Sequence, residues 1–195
     1  MKQIEAAKRL ISIDRDEEVC VFTKMDLKTI FREDNGHALD ATLKGLLRAN
    51  ILTRAVNGVY VYALTDHRAD LIEHIARAMR RGEYNYVSLE SALSEYGVIS
   101  QVPMCLTVMT TGRRGRYQTP FGAVEFTHTE RQWVDIIHDA VEVGRPLKLA
   151  KKHVAWRDLK RTGRNIYEID EDLLFDGEAL EENDDHTHNT RPGGP

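Results

Sequence analysis

The chain has 195 residues, of which 42% are hydrophobic and 30% charged, and its formal net charge is −4 at pH 7. This composition is typical of a water-soluble globular protein, and the length accommodates one large domain or two small ones. No apolar run approaches the roughly 20 residues of a membrane-spanning helix, and the first five residues do not open a signal peptide. We therefore expect a cytoplasmic protein.

Charge is distributed unevenly along the chain. Residues 168–195 contain ten acidic residues and one arginine, a net charge of −9 that leaves +5 for the residues before them. Blocks of like charge are typical of disordered interaction tails, and the stretch from Asp176 onward also lacks apolar periodicity. We predict a mildly basic folded body and a disordered acidic tail over residues 176–195.

The first predicted element is an amphipathic helix. Its inward face is predicted from four apolar residues at helical spacing: Ile4, Ala7, Leu10 and Ile11. A short strand follows over residues 19–22, and Thr23 or Asp26 can cap the helix after it.

The next part of the chain predicts a helix followed directly by a β-hairpin. The helix, over residues 37–50, has leucines at i, i+4, i+7 and i+8, which form a single apolar stripe: Leu39, Leu43, Leu46 and Leu47. The β-prone runs 51–56 and 59–62 are joined by Asn57-Gly58, a dipeptide that favours a type I′ turn because both residues tolerate positive φ. A further helix, capped by Asp66, is stopped by Gly82.

Helix, turn, helix and hairpin in this order are typical of a winged helix-turn-helix, which places one helix in a DNA groove. We predict such a DNA-binding domain over residues 1–82. Its contact residues are expected on the helix face opposite the leucines and on the hairpin: His37, Asp40, Ala41, Lys44, Arg48, Arg54 and Asn57. Lysine and arginine grip phosphate or read guanine, and aspartate can accept from cytosine but often costs affinity near phosphates. The alternative is an ordinary solvated helix face.

The second half, residues 83–175, predicts a mixed α/β domain, so the whole chain belongs to the α+β class. The predicted elements are a helix over 88–96 capped by Ser88 and closed by Gly97, strands over 106–110 and 123–127, and helices over 131–140 and 149–159. A loop rich in glycine and arginine, residues 111–122, separates the two strands.

Basic residues of this half form two clusters. The first lies in the glycine-flanked loop: Arg113, Arg114 and Arg116. The second is opposed only by Asp158: Lys148, Lys151, Lys152, Arg157, Lys160, Arg161 and Arg164. A solvated face normally mixes charge signs, so this excess predicts an anionic partner, either nucleic acid or an acidic protein surface. The alternative is that the acidic tail folds back over these residues.

No constellation of catalytic or metal-binding residues stands out. The 111–116 stretch lacks the Gly-Lys-Ser/Thr ending of a phosphate-binding loop, and the histidines at 186 and 188 lie in a segment too polar to hold metal geometry. Cys20 and Cys105 are expected to be buried free thiols, and the alternative is a disulfide between them. We expect no cofactor, no metal and no catalysis, and a regulator rather than an enzyme.

Three motifs of the second half resemble the AbiEi family, the antitoxins of bacterial type IV toxin–antitoxin systems. They are Y-V-S-L-E-S-A-L-S-E-Y-G at 86–97, T-T-G-R at 110–113 and T-P-F-G at 119–122. The likeness extends from the predicted winged helix to about residue 165, without the far N-terminus and the acidic tail.

The resemblance implies an antitoxin that binds repeats in its own promoter and represses its operon. Its C-terminal domain would counteract, directly or indirectly, a nucleotidyltransferase-like toxin encoded beside it. The alternative is a winged-helix transcriptional regulator whose C-terminal domain senses a ligand or dimerises. A nuclease is disfavoured because a catalytic cluster is missing.

Overall fold

A computed structural model describes residues 2–163 and residue 174, and these residues form an α+β fold. Arg164 and the predicted acidic tail lie outside them. The helices are α1 (Gln3–Glu17), α2 (Lys24–Ile30), α3 (Gly36–Arg48), α4 (Leu71–Met79), α5 (Leu89–Glu95), α6 (Trp133–Asp139) and α7 (Lys152–Thr162). The strands are β1 (Val21–Thr23), β2 (Leu52–Val56), β3 (Val59–Tyr62), β4 (Asn85–Val87), β5 (Cys105–Thr110), β6 (Gly115–Thr119), β7 (Gly122–His128), β8 (Ala140–Val141) and β9 (Lys148–Ala150).

The strands form two sheets. The first is antiparallel with the order β1-β3-β2, and the second is mixed with the order β6-β7-β5-β4-β9-β8. In the second sheet, β5 runs parallel to β7 and β4 parallel to β9, while the other pairs are antiparallel. Within the described residues, no helix is long and apolar enough to span a bilayer.

Strand β3 is buried along its whole length because its sheet is covered on both faces. Successive side chains of a strand point to opposite faces. Tyr60 and Tyr62 pack into the core formed with α1, α2 and α3, whereas Val59 and Val61 pack with Ile75 of α4. The hairpin is therefore held between the N-terminal helices and the rest of the chain.

Helix α4 packs against both sheets. Ile75 enters the core behind the hairpin, and Ala76 enters the core of the six-stranded sheet. Phe121, from the turn between β6 and β7, joins the hairpin core from the other half of the chain. The predicted domain boundary at residue 82 follows this helix, whose apolar side chains belong to both cores.

The start of α4 differs from the prediction. The helix begins at Leu71 with Asp70 as its N-cap residue, so the assignment of Asp66 as the cap is wrong. The reason is a local turn before it: the Thr65 hydroxyl accepts the His67 N–H at 3.0 Å and donates to buried Asp14 at 2.5 Å. These bonds hold the chain out of helical geometry.

Two other elements also depart from the prediction. Helix α1 buries Ala6, Leu10 and Asp14, while Ile4 remains 72% exposed, so the inward face is rotated from the predicted one. Residues 149–150 belong to strand β9, and α7 starts only at Lys152. A short strand buried on both faces has a continuous apolar pattern that is easily read as helix.

The hairpin itself is confirmed, with Asn57 and Gly58 between the paired Val56 and Val59. Its turn is not type I′, because Gly58 has a φ of 81° while Asn57 does not have a positive φ. The register shifts between Arg54 and Val56, which marks a β-bulge at Ala55. A type I′ turn is favoured because it matches the twist of the paired strands. A bulge increases the local twist, so these strands pair without the type I′ turn that Asn57-Gly58 favours.

Candidate nucleic-acid interface

Helix α3 presents a polar sector away from its leucines. The Asn35 side chain caps the helix by accepting the Ala38 N–H at 3.1 Å, and Leu39, Leu43 and Leu46 are buried as predicted. At 100° per residue, the five predicted contact residues of this helix fall within a sector of about 100°. Its members are His37, Asp40, Ala41, Lys44 and Arg48, all exposed except the half-buried Asp40.

Contacts from α1 and from the turn before α3 fix the orientation of this sector. The Arg9 guanidinium donates two hydrogen bonds of 2.8 Å to the Glu33 carboxylate and one of 2.7 Å to the Ile30 carbonyl. The Arg9 partner lowers the pKa of Glu33 to about 2. On α3 itself, the Thr42 hydroxyl donates to buried Asp34 at 2.6 Å.

Lys24, which was not predicted as a site residue, lies at the centre of the candidate interface. Its ammonium Nζ is 2.6 Å from Oδ1 of Asp40, and its backbone N–H donates to the Gly58 carbonyl at 2.8 Å. Lys24 therefore joins α3 to the hairpin turn. Lys24 directly follows the N-cap residue Thr23 and lies on the first helical turn of α2. The Thr23–Asp26 capping box that encloses it was the signal in the sequence that could have identified it.

The ion pair keeps both partners charged. A hydrogen bond from Lys24 lowers the pKa of Asp40, with further lowering by the charges of Lys44 and His37. The same bond raises the pKa of Lys24, and the nearby Arg54 charge opposes that rise. A groove of about 500 Å³ beside the pair is lined partly by Lys24, Lys28 and His37. Cationic side chains from α2, α3 and the hairpin thus share one surface.

The predicted hairpin residues adjoin this surface. The Arg54 guanidinium lies 5.6 Å from the centre of the Tyr60 ring, and its Nη2 is 3.5 Å from the Tyr60 hydroxyl. Tyr60 is buried, so it restricts the conformations of the exposed Arg54. Asn57 is exposed at the turn whose Gly58 carbonyl binds the Lys24 amide.

The arginine-rich loop is shorter than predicted because residues 115–119 form strand β6. Arg113 and Arg114 are exposed in the remaining loop, and Arg116 is paired in register with Glu125 on β7. Arg80, the C-cap residue of α4, fixes this loop by donating to the Arg113 carbonyl at 2.8 Å and to the Tyr117 hydroxyl at 3.0 Å. Strand β6 contacts β2 of the hairpin, so the cluster of Arg113, Arg114 and Arg116 lies at the edge of the six-stranded sheet that is near the hairpin.

The second basic cluster lies at the opposite edge of the six-stranded sheet, where β9 and β8 are found. Several of its cations are engaged within the described structure: Lys148 is 3.1 Å from Glu142, Arg157 is 2.9 Å from Asp139, and the Lys160 ammonium is 4.9 Å from the Trp156 ring centre. The structure therefore keeps the two predicted basic clusters of the C-terminal half apart.

Asp158 does not oppose the basic residues at the surface, contrary to the prediction. Its side chain is buried, and its Oδ2 accepts hydrogen bonds from the Ser88 hydroxyl at 2.9 Å and the Tyr86 hydroxyl at 3.1 Å. Burial raises the pKa of this carboxyl group, and the hydrogen bonds from the two hydroxyl groups partly offset that rise. The exposed face of α7 is consequently more basic than its sequence suggests.

The motifs that resemble the AbiEi family have structural roles. Ser88 does not cap α5 through its side chain, because its hydroxyl binds Asp158; the Thr107 hydroxyl of β5 accepts the Ser91 N–H at 3.0 Å instead. The Thr110 hydroxyl donates to the side-chain oxygen Oδ1 of Asn85 at 2.7 Å, and the Thr111 hydroxyl donates to the Glu83 carboxylate at 2.7 Å. These bonds join adjacent elements of the fold.

Residues 2–163 contain no group of three or more His, Cys, Asp or Glu side chains placed to hold a metal ion. Neither Cys20 nor Cys105 forms a disulfide bond; Cys20 is buried as predicted, whereas Cys105 is only partly buried.

No protein-family model matches the chain, and no curated protein matches it. Among solved structures, the chain is similar to the crystal structure of the RV2827C protein from Mycobacterium tuberculosis, with 20% identity and a TM-score of 0.42. The match covers 67% of this chain and 47% of that one, so the chain spans about half of that structure's length. A likeness of this strength does not bear on function.

Proposed function

We propose that the chain is a cytoplasmic DNA-binding regulator of the winged helix-turn-helix type. Helix α3 would lie in the major groove, with the hairpin against the neighbouring phosphates. The observation that carries the proposal is that Lys24 links the exposed sector of α3, which includes Lys44 and Arg48, to the hairpin turn, with Arg54 nearby. Clustered cations on one helix and an adjoining hairpin are the electrostatic footprint of DNA binding.

The antitoxin role rests on a different observation, the order of the three AbiEi-like motifs. We propose that the protein represses its own operon and counteracts a nucleotidyltransferase-like toxin encoded beside it. Because Ser88, Thr110 and Thr111 of the motifs bind other residues of the fold, contact with the toxin or its substrate would fall to exposed charges such as Arg114 or Arg161. The protein would need no catalysis of its own for either task.

Two measurements test these roles separately. The full chain should bind a duplex from upstream of its own gene in a fluorescence anisotropy titration, and co-expression should restore growth to cells that carry the neighbouring toxin gene. Absence of DNA binding would contradict the regulator. DNA binding without rescue of growth would contradict the antitoxin and favour a regulator with a ligand-sensing or dimerising C-terminal half.

A further inference from the structure

Asp40 occupies a position on α3 where a negative charge is costly for DNA binding. It lies between His37 and Lys44 at helical spacing, within the sector that would face the groove. A carboxylate repels phosphates, so a helix that bound DNA only through its charge would not keep one there. Affinity for DNA therefore does not explain the presence of the Asp40 carboxylate on this face.

The ion pair with Lys24 offsets this repulsion and leaves one carboxylate oxygen of Asp40 available to accept a hydrogen bond. The Lys24 ammonium is 2.6 Å from Oδ1, while Oδ2 accepts no hydrogen bond from any described residue. Both side chains are about half exposed, at 50% for Lys24 and 49% for Asp40. An exposed ion pair contributes little to the stability of the fold, so folding stability does not explain the presence of this pair.

In the major groove, a carboxylate distinguishes bases by accepting from an amino group. Cytosine presents its N4 amino group there without an adjacent acceptor of its own. Adenine presents an amino group beside its N7 acceptor, and guanine presents only acceptors, and these acceptors repel a carboxylate. We infer that Asp40 selects cytosine at one position of the bound sequence, and that Lys24 is the positioning residue that holds its carboxylate. This inference rests on the proposed DNA binding and adds a specificity-determining pair to it.

Selection of bound duplexes from a random library tests the inference with the full chain. The wild-type motif should contain one position where cytosine is preferred by about tenfold, the order of magnitude of one specific base contact. Asp40→Asn should lose that preference or shift it towards adenine, whose N6 and N7 suit an amide, and should leave the other positions unchanged.

The role of Lys24 is tested by a double-mutant cycle. Lys24→Met should weaken the cytosine preference when Asp40 is present and change nothing further in the Asp40→Asn background. Lys24→Arg should restore the preference because it keeps the charge. Lys28→Met is the matched control: Lys28 is exposed one turn further along the same helix, so its loss should lower affinity for all sequences alike.

The outcomes separate this inference from the proposed function. Absence of binding to any duplex by the wild type would overturn both. A wild-type motif that Asp40→Asn leaves unchanged, even with tighter binding to every sequence, would overturn the specificity role and leave DNA binding standing. Equal effects of Lys24→Met and Lys28→Met on the motif would overturn the role of Lys24.

Discussion

At the scale of single residues, the ion pair between Arg9 and Glu33 joins α1 to the turn that precedes α3. Glu33 lies in the turn between α2 and α3, and both of its carboxylate oxygens are bound by one guanidinium. The same guanidinium binds the carbonyl at the end of α2. These contacts join α1, the end of α2 and the turn before α3 at one point.

This pair predicts a pH dependence of stability. The folded-state pKa of Glu33, about 2, lies below the ordinary value of 4.5, so its contribution is complete above pH 4.5 and is lost as the pH falls towards 2. Glu33→Gln should therefore lower the urea midpoint at pH 6, and its difference from the wild type should shrink at pH 3. Glu17→Gln, an exposed carboxylate at the end of α1, should show no such convergence. A constant Glu33→Gln difference at both pH values would contradict the ion pair.

Single residues also show where sequence reasoning stops. The exposed sector of α3 follows from the leucine spacing, because burial of one helix face fixes the other. The partners of Asp158 and Asp40 do not follow from the sequence. Those of Asp158 come from β4 and the residue after it, and that of Asp40 comes from α2, rather than from neighbouring positions on the same helix. The sequence places charges on a face, but tertiary contacts decide which of them remain available.

At the scale of elements, the order of helices and the hairpin was predictable and the start of α4 was not. Asn57-Gly58 between apolar runs is a local signal, and the paired strands confirm it. The start of α4 depends on the Thr65 bond to Asp14, 51 residues away in sequence. The strand at 148–150 likewise exists only because it pairs with β4 and β8.

Phe121 predicts an energetic link between the hairpin and the six-stranded sheet. Its ring packs with Ala55, Val59 and Ile75. Phe121→Ala should destabilise the chain by about 1–3 kcal/mol, somewhat below the cost at a fully buried site because Phe121 is partly exposed. Trp133→Ala, at a 54% exposed aromatic, should cost about 0.5 kcal/mol or less in the same urea titration. Equal losses in the two variants would contradict the link.

At the scale of the whole molecule, the two halves share α4 and the core behind the hairpin. A fragment ending at residue 82 retains the candidate interface but loses Phe121 and the partners of Arg80. The shared helix makes the full chain the appropriate protein in which to test either role.

The central claim is that the exposed sector of α3 binds DNA, and a salt titration of the full chain tests it most directly. Each phosphate contact contributes about 0.9 to the slope of log K against log salt, so Lys44→Ala with Arg48→Ala should weaken binding and reduce the slope by up to about 1.8. The matched control removes two exposed cations from α1, Lys8→Ala with Arg15→Ala, and should leave the slope near that of the wild type. If the α3 variant binds with wild-type affinity and slope, α3 is not the DNA-binding helix.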